Sequence, residues 1–499
     1  MKQKSSGFLT NVLKLVGGSA FAQGLGVLVL PILSRLFAPQ AFGVAELFTS
    51  ITIIISVVAC LRYELSIMLP ESDAEAANLF GVSVVFTIIV SLITGIVFFI
   101  FGNNISGLLH SEELEIYLWL VSPAVFFSGL FLALNYWNSR TKHFGRLSLA
   151  RVASSSVNQA TRLFTGFTGF VSAGALIGAS ILGNCISTAI LGTQIWRDHG
   201  RLFRANIRWH SMLAGIRRYK KFPLFSSWSI LLNSISRQLP AWFLAFYFSP
   251  QVVGFFALSR LVLSAPMRLV GNSVAQVFYQ RAAEANVKTK DLQDVVEKVY
   301  TGLIALGVFP IILLTLVGKE LFVVAFGSQW AEAGIYTQVL AIWIFFQFIS
   351  SPISTLASVF EKQDSLLVFS IVLFLTRVLS LIAGGMFGSV YIALLLFALT
   401  GVCCYGFLSF WLMGVAGVSI RRSLNIILKY TMYSMPFLLL MLLLKWWMRI
   451  GNLGIFLMST LLLCLYYLIV IMRSEELREP VAMIFRKVHP SAHNENGLE

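Results

Sequence analysis

Apolar residues in this chain gather into long runs separated by short polar breaks, with no sustained period-two alternation. A run of about 20 apolar residues is what a helix needs to cross the hydrocarbon of a bilayer. Fourteen such runs are expected, over 8–36, 41–62, 76–101, 114–138, 147–168, 171–195, 222–247, 251–280, 299–325, 332–360, 365–385, 389–414, 424–446 and 451–472. The pattern predicts an all-α polytopic membrane protein of about 14 transmembrane helices. The first run imitates a cleavable leader, with Lys2 and Lys4 ahead of an apolar stretch that reaches Ala20-Phe21-Ala22. Lys14 interrupts that stretch and the apolar character continues to Phe37, so the segment is expected to stay as the first membrane helix.

The breaks divide the chain. An N-terminal six-helix lobe is expected over 1–196, a basic cytoplasmic linker over 197–221 and a second six-helix lobe over 222–420. An appended helix pair over 421–473 and a cytoplasmic tail over 474–499 complete the organisation. A local repeat marks the two lobes. Pro39-Gln40-x-x-Gly43-x-x-x-Leu47 returns as Pro250-Gln251-x-x-Gly254-x-x-x-Leu258, each with a proline upstream, Pro31 and Pro240. Pro-Gln ends one helix and turns the chain, and the glycine lets the next helix pack closely. Six helices per lobe is an even number, so the repeat is parallel, with a pseudo-two-fold along the membrane normal and a cavity between lobes.

Composition agrees with the runs: 57% of the 499 residues are hydrophobic and only 12% are charged, too few for a soluble domain of this size. With both termini placed in the cytoplasm, 25 Lys and Arg fall in inner loops and tails against three in outer loops, Lys319, Lys445 and Arg449. That bias accounts for the net charge of +15 through anionic lipid headgroups, with no need for nucleic acid. The five cysteines lie inside predicted helices without metal-ligand spacing and read as small apolar residues. No Gly-x-x-x-x-Gly-Lys-Ser/Thr loop, no large outer loop with paired carboxylates and no TVGYG-like filter is present, so neither an enzyme nor a channel is expected, and no cofactor or metal.

Arginine supplies the candidate chemistry. Arg35, Arg151, Arg162, Arg237, Arg260, Arg268 and Arg377 lie in or at the margins of apolar runs. Each would cost about 2.5–3.5 kcal/mol at the bilayer centre. Glu46 is the one acid comparably placed. On the fifth run Arg151, Ser155, Asn158 and Arg162 share one helical face. The seventh run carries Ser226, Ser229, Asn233 and Arg237, and the eighth Arg260, Ser264, Arg268, Asn272 and Gln276. Serine and asparagine stripes also serve as interhelical glue. Arginines without acids fit an anion, above all a diphosphate held bidentately. Arg237, Arg260 and Arg268 lead this expectation, joined by Arg151, Arg162, Asn158 and Asn233. Arg35 and Glu46 flank the first outer loop, as an external gate or as an interfacial pair. Arg62 and Glu64, followed by Glu71, Asp73 and Glu75, are expected in a solvated inner loop.

These residues carry a resemblance. Pro39-Gln40-x-x-Gly43, then Arg62-Tyr63-Glu64-Leu65-Ser66-Ile67-Met68-Leu69-Pro70 with Ala76-Ala77-Asn78, and Ala257-Leu258-Ser259-Arg260 through Pro266 and Gln276-Val277-Phe278, resemble the polysaccharide-transport flippases. These belong to the multidrug/oligosaccharidyl-lipid/polysaccharide exporter (MOP) superfamily. The resemblance implies two lobes, alternating access and a cationic cavity. Through it an undecaprenyl-diphosphate-linked oligosaccharide, an O-antigen or related repeat unit, would pass from the inner to the outer leaflet of a bacterial cytoplasmic membrane. It also implies anionic lipids, a polysaccharide polymerase and chain-length proteins as partners. Two alternatives stand beside it. A cation-coupled drug exporter of the same superfamily should carry further intramembrane acids. A non-transport scaffold of a glycan synthase should tolerate loss of the arginines but not of the basic linker.

Overall fold

The computed structural model describes residues 3–265, 267, 271, 274–275, 278, 282, 292–446 and 450–473, with the side chains of 3–16 and 473 left aside. All regular structure among them is helical. Its contacts divide the chain into two compact units, one running to Leu258 and including Gly385–Val390, the other holding Ser259–Gly384 and the chain from Tyr391 onward. The first unit therefore includes 222–258, which the sequence groups with the second lobe.

In the first unit the long helices are α1 (Gln3–Leu36), α2 (Pro39–Ser56), α3 (Asp73–Leu108), the bent pair α4 (Glu112–Leu118) and α5 (Val121–Arg140), α6 (Phe144–Phe167) and α7 (Ala173–Asn206). An amphipathic α8 (Trp209–Arg218) and a π turn (Phe222–Ser226) lead into α9 (Ser227–Tyr247) and the start of α10 (Pro250–Leu263). Ser72 caps α3 by accepting from the Ala74 amide at 3.2 Å, the usual way an orphan amide is satisfied. The basic stretch 197–221 is not extended: α7 runs through its first ten residues, and α8 packs on α3. Asn78 secures the corner, donating to the Asn206 carbonyl at 3.0 Å and accepting from the Arg208 amide at 2.9 Å. Tyr63 donates to the Ile216 carbonyl and Arg218 pairs with Glu75 at 2.7 Å. The core below is aromatic, with Phe203 stacked on Phe80 at 5.0 Å and edge-on to buried Trp137 at 4.7 Å.

The repeated motif meets itself. A Cβ built on Gly43 would collide with the Pro250 carbonyl, and one on Gly254 would collide with the Pro39 carbonyl. The same Cβ positions lie 3.0 Å from the Gly254 nitrogen and 3.1 Å from the Gly43 nitrogen respectively. The first turns of α2 and α10 thus cross backbone to backbone about a local two-fold, a contact open only to glycine on both sides.

The second unit continues α10 and holds α11 (Leu292–Phe326), α12 (Ala331–Ile353), α13 (Gln363–Met386), α14 (Val390–Val415), α15 (Ile420–Trp446) and α16 (Asn452–Arg473). The last two pack on α11. Phe309 stacks on Tyr466 at 4.6 Å, and the Tyr466 and Tyr467 hydroxyls donate to the Ala305 and Leu306 carbonyls. Each of the 14 expected runs finds a helix, yet only ten helices among the described residues are long and apolar enough to cross a membrane, eleven with α4 and α5 taken together. α6 and α9 fall short because their arginine, serine and asparagine stripes lower their apolar character, and α10 because it is described over only 14 residues.

Candidate functional site: a guanidinium seam along α6

α6 has one polar face, and the two neighbours that pack on it, α1 and α7, meet that face from either side. Arg151 donates from Nη1 to Ser19 Oγ on α1 at 2.9 Å, and one turn on Ser155 donates to the Ala22 carbonyl at 2.9 Å. Farther along, Arg162 donates from Nη2 to Ser180 Oγ on α7 at 2.9 Å, and Asn158 reaches the same oxygen at 3.4 Å. Ser180 spends its own proton on the Leu176 carbonyl at 3.1 Å, so its lone pairs are what receive the two donors. Gly183 lets the helices close here, since a Cβ on it would sit 2.9 Å from the Ser154 carbonyl oxygen.

The seam is not saturated. Arg162 Nε and Asn158 Oδ1 are buried without a hydrogen-bond partner. No carboxylate pairs with Arg151 or Arg162 among the described residues, so serine hydroxyls alone hold two cations in an apolar unit. Ser155 has the glue role anticipated for such residues. For the arginines, a neutral donor would make the same bonds to serine without the cost of a desolvated charge.

The remaining expected site residues scatter. Asn233 and Arg237 are exposed on α9, and Arg260 is half-buried on the part of α10 that belongs to the second unit. Arg268, with Pro266, Asn272 and Gln276, lies outside the described residues. Arg35 is exposed at the end of α1 and Glu46 half-buried on α2. Arg35, Glu46, Arg237 and Arg260 each interact with a neighbour, so none of the four is a free charge. Arg377 on α13 is buried between aromatic faces, 5.9 Å from the Trp343 ring centre and 5.7 Å from that of Phe397, with Tyr405 Oη at 3.4 Å from Nη2. Ring quadrupoles stabilise this guanidinium where no acid among the described residues does.

Two features escaped sequence reasoning. Ser180 is a hydroxyl whose importance shows only through its partners, although Ser180, Asn184 and Ser187 do form a polar row on α7. The second is Glu64. It is fully buried rather than solvated, paired with Arg62 Nη1 at 3.1 Å, with Oε2 left without a partner. Leu61 and Arg62 are both in the left-handed region, at φ 46° and 64°, an uncommon conformation for two bulky residues in succession. Burial pushes the Glu64 carboxyl above its ordinary range, against the opposing pull of its backbone hydrogen bond and of Arg62. Such a group favours folding most when protonated in both states, below about pH 4.3, and that contribution fades as pH rises through the raised folded value. The unfolding midpoint of the detergent-solubilised protein should therefore fall more between pH 5 and pH 8 than that of Glu64→Gln. Parallel pH profiles for the two proteins would remove Glu64 from this account.

An all-helical chain with ten or more candidate membrane spans among its described residues has the fold of the transporters of the MOP superfamily. The chain belongs to the polysaccharide biosynthesis protein family, which matches residues 32–335. No protein of curated function matches it by sequence. Among solved structures it is similar to the lipid II flippase MurJ in an inward closed conformation, with a TM-score of 0.73 at 14% identity over 95% of this chain and 99% of that one. A multidrug resistance MATE family transporter in an inward-facing conformation gives a TM-score of 0.55 at 13% identity, over 81% of this chain and 94% of that one. The eukaryotic MATE transporter AtDTX14 gives 0.51 at 15% identity, over 85% and 100%. These likenesses establish a shared fold.

Proposed function

We propose that this protein is a flippase that carries an undecaprenyl-diphosphate-linked oligosaccharide, the repeat unit of an O-antigen or related surface polysaccharide, from the inner to the outer leaflet of a bacterial cytoplasmic membrane. The observation that carries the reading is the α6 seam, where Arg151 and Arg162 are held by hydroxyls with no carboxylate. A diphosphate is prohibitively costly in hydrocarbon unless cations meet it, and guanidinium is the group best shaped to do so. The family match and the likeness to a lipid II flippase support the same reading. Arg237, Arg260 and Arg268 are proposed as further cations that meet the substrate. The glycan rides in water while the prenyl chain stays in lipid, and the lobes alternate about the site. A polysaccharide polymerase and chain-length proteins are the proposed downstream partners.

The test is the leaflet in which lipid-linked oligosaccharide accumulates. Cells depleted of the protein should hold it on the cytoplasmic side, and an unchanged leaflet distribution would refute flipping. Alanine at Arg237, Arg260 or Arg268 should abolish complementation of flippase-null cells at unchanged protein level. Full activity in all three single variants and in the triple variant would remove these residues from the proposal.

A further inference from the structure

α5 and α7 leave between them an apolar groove of about 380 Å³, lined by Leu130, Leu134, Ala189, Gly192 and Trp196, with Phe80 of α3 at its edge. α7 has 34 residues, about 51 Å at 1.5 Å per residue, against about 30 Å of hydrocarbon. With Ala173 at one boundary, the other falls about 20 residues on, near Thr193. The part of the groove lined by Leu130, Leu134, Ala189 and Gly192 then lies within the hydrocarbon, Trp196, 51% exposed, at the interface where tryptophan concentrates, and Phe203 beyond it. The next turns carry Arg197, Arg201 and Arg204, all exposed. Arg204 folds back over the ring of Trp196, a residue of the groove lining, at 5.1 Å. The acid within this stretch, Asp198, is committed to Arg146 at 2.6 Å, and no ion pair involves the three arginines among the described residues.

We propose that this groove binds an anionic diacyl phospholipid, one acyl chain lying between α5 and α7 and the phosphate held by Arg197, Arg201 and Arg204. Charge complementarity selects the occupant, because an apolar seat in hydrocarbon with three exposed guanidiniums on the next turns of the same helix suits an anionic lipid and gives a zwitterionic one little advantage. The loop-charge bias puts this end of α7 at the cytoplasmic leaflet. The site is separate from the α6 seam, and lipid binding is measured without any transport step, so its failure would leave the flippase reading untouched.

The probe is phosphatidylglycerol brominated along one acyl chain, added to the protein in neutral detergent, with brominated phosphatidylcholine as control. Tryptophan fluorescence reports occupancy, and Trp196→Phe identifies the Trp196 share of the signal from the 11 tryptophans. Trp196 should be quenched at phosphatidylglycerol concentrations on the order of ten-fold or more below those of phosphatidylcholine. That preference should vanish in the triple variant Arg197→Gln/Arg201→Gln/Arg204→Gln and persist in the corresponding triple lysine variant, which keeps the charge. Gly192→Leu should weaken binding with all three arginines in place, since a Cβ there meets only Leu134 at 3.7 Å and the rest of the side chain enters the groove. Equal quenching by the two lipids, or a preference that survives the glutamine variant, would overturn the site. Undiminished binding in Gly192→Leu would overturn the acyl-chain seat.

Discussion

Arg162→Gln is expected to stop transport while leaving the protein folded and at its normal level. Glutamine keeps an amide donor for Ser180 and loses the charge, so it separates the two roles that the seam allows. Were Arg162 there to tie α6 to α7, the neutral donor would serve, and it would relieve the cost of a desolvated cation. Were it there for a diphosphate, the variant would lose a charge-assisted bond of about 1.5–3 kcal/mol, roughly 10- to 100-fold in affinity. Arg162→Lys should retain part of the activity, because lysine meets phosphate as a point charge but without the bidentate fork. Arg151→Gln should follow the same order at the other end of the stripe. The measurement is complementation of flippase-null cells together with the leaflet distribution of lipid-linked oligosaccharide. Wild-type activity in Arg162→Gln with impaired stability in Arg162→Ala would make the seam structural and remove the main support for the proposed function.

Gly43→Ala and Gly254→Ala should each lower the unfolding midpoint in detergent and reduce complementation. Each new Cβ falls on a backbone carbonyl, Pro250 or Pro39, which cannot turn aside as a side chain would. Overpacking of this kind costs about 1–3 kcal/mol or more. The two costs should not add. Once one methyl has parted α2 from α10, the space that the second needs is already open, so the double variant should be little worse than the worse single one. Strict additivity would show that the glycines act at independent places and that the reciprocal crossing does not form in solution.

Much of this fold is legible along the chain because a bilayer imposes its rules locally. A helix in hydrocarbon must satisfy its own backbone, so 20 apolar residues announce a span whatever they pack against. Boundaries moved where polar stripes or long polar extensions blurred the edge, as in α7, which continues to Asn206. The site was legible in a weaker sense. Arg151, Asn158 and Arg162 share a face because helical periodicity says so, but whether that face meets a helix, a cavity or lipid depends on neighbours far away in sequence. Ser19 and Ser180 come from helices 132 and 18 residues distant from the arginines they hold. Glu64 was read as solvated because charged neighbours surround it in sequence, whereas the turn at Leu61 and Arg62 folds it inward.

The sequence alone therefore determined that this is a polytopic helical membrane protein with a repeated Pro-Gln-x-x-Gly motif and arginines inside its apolar runs, since hydropathy and glycine spacing act through the local backbone. Only the tertiary structure decided what those elements touch. It set the two Pro-Gln-x-x-Gly motifs against each other, gave two of the arginines serine hydroxyls as their partners, enclosed Arg377 in aromatic rings and buried Glu64. These are contacts between distant segments, and packing free energy, which no single stretch of chain contains, selects them.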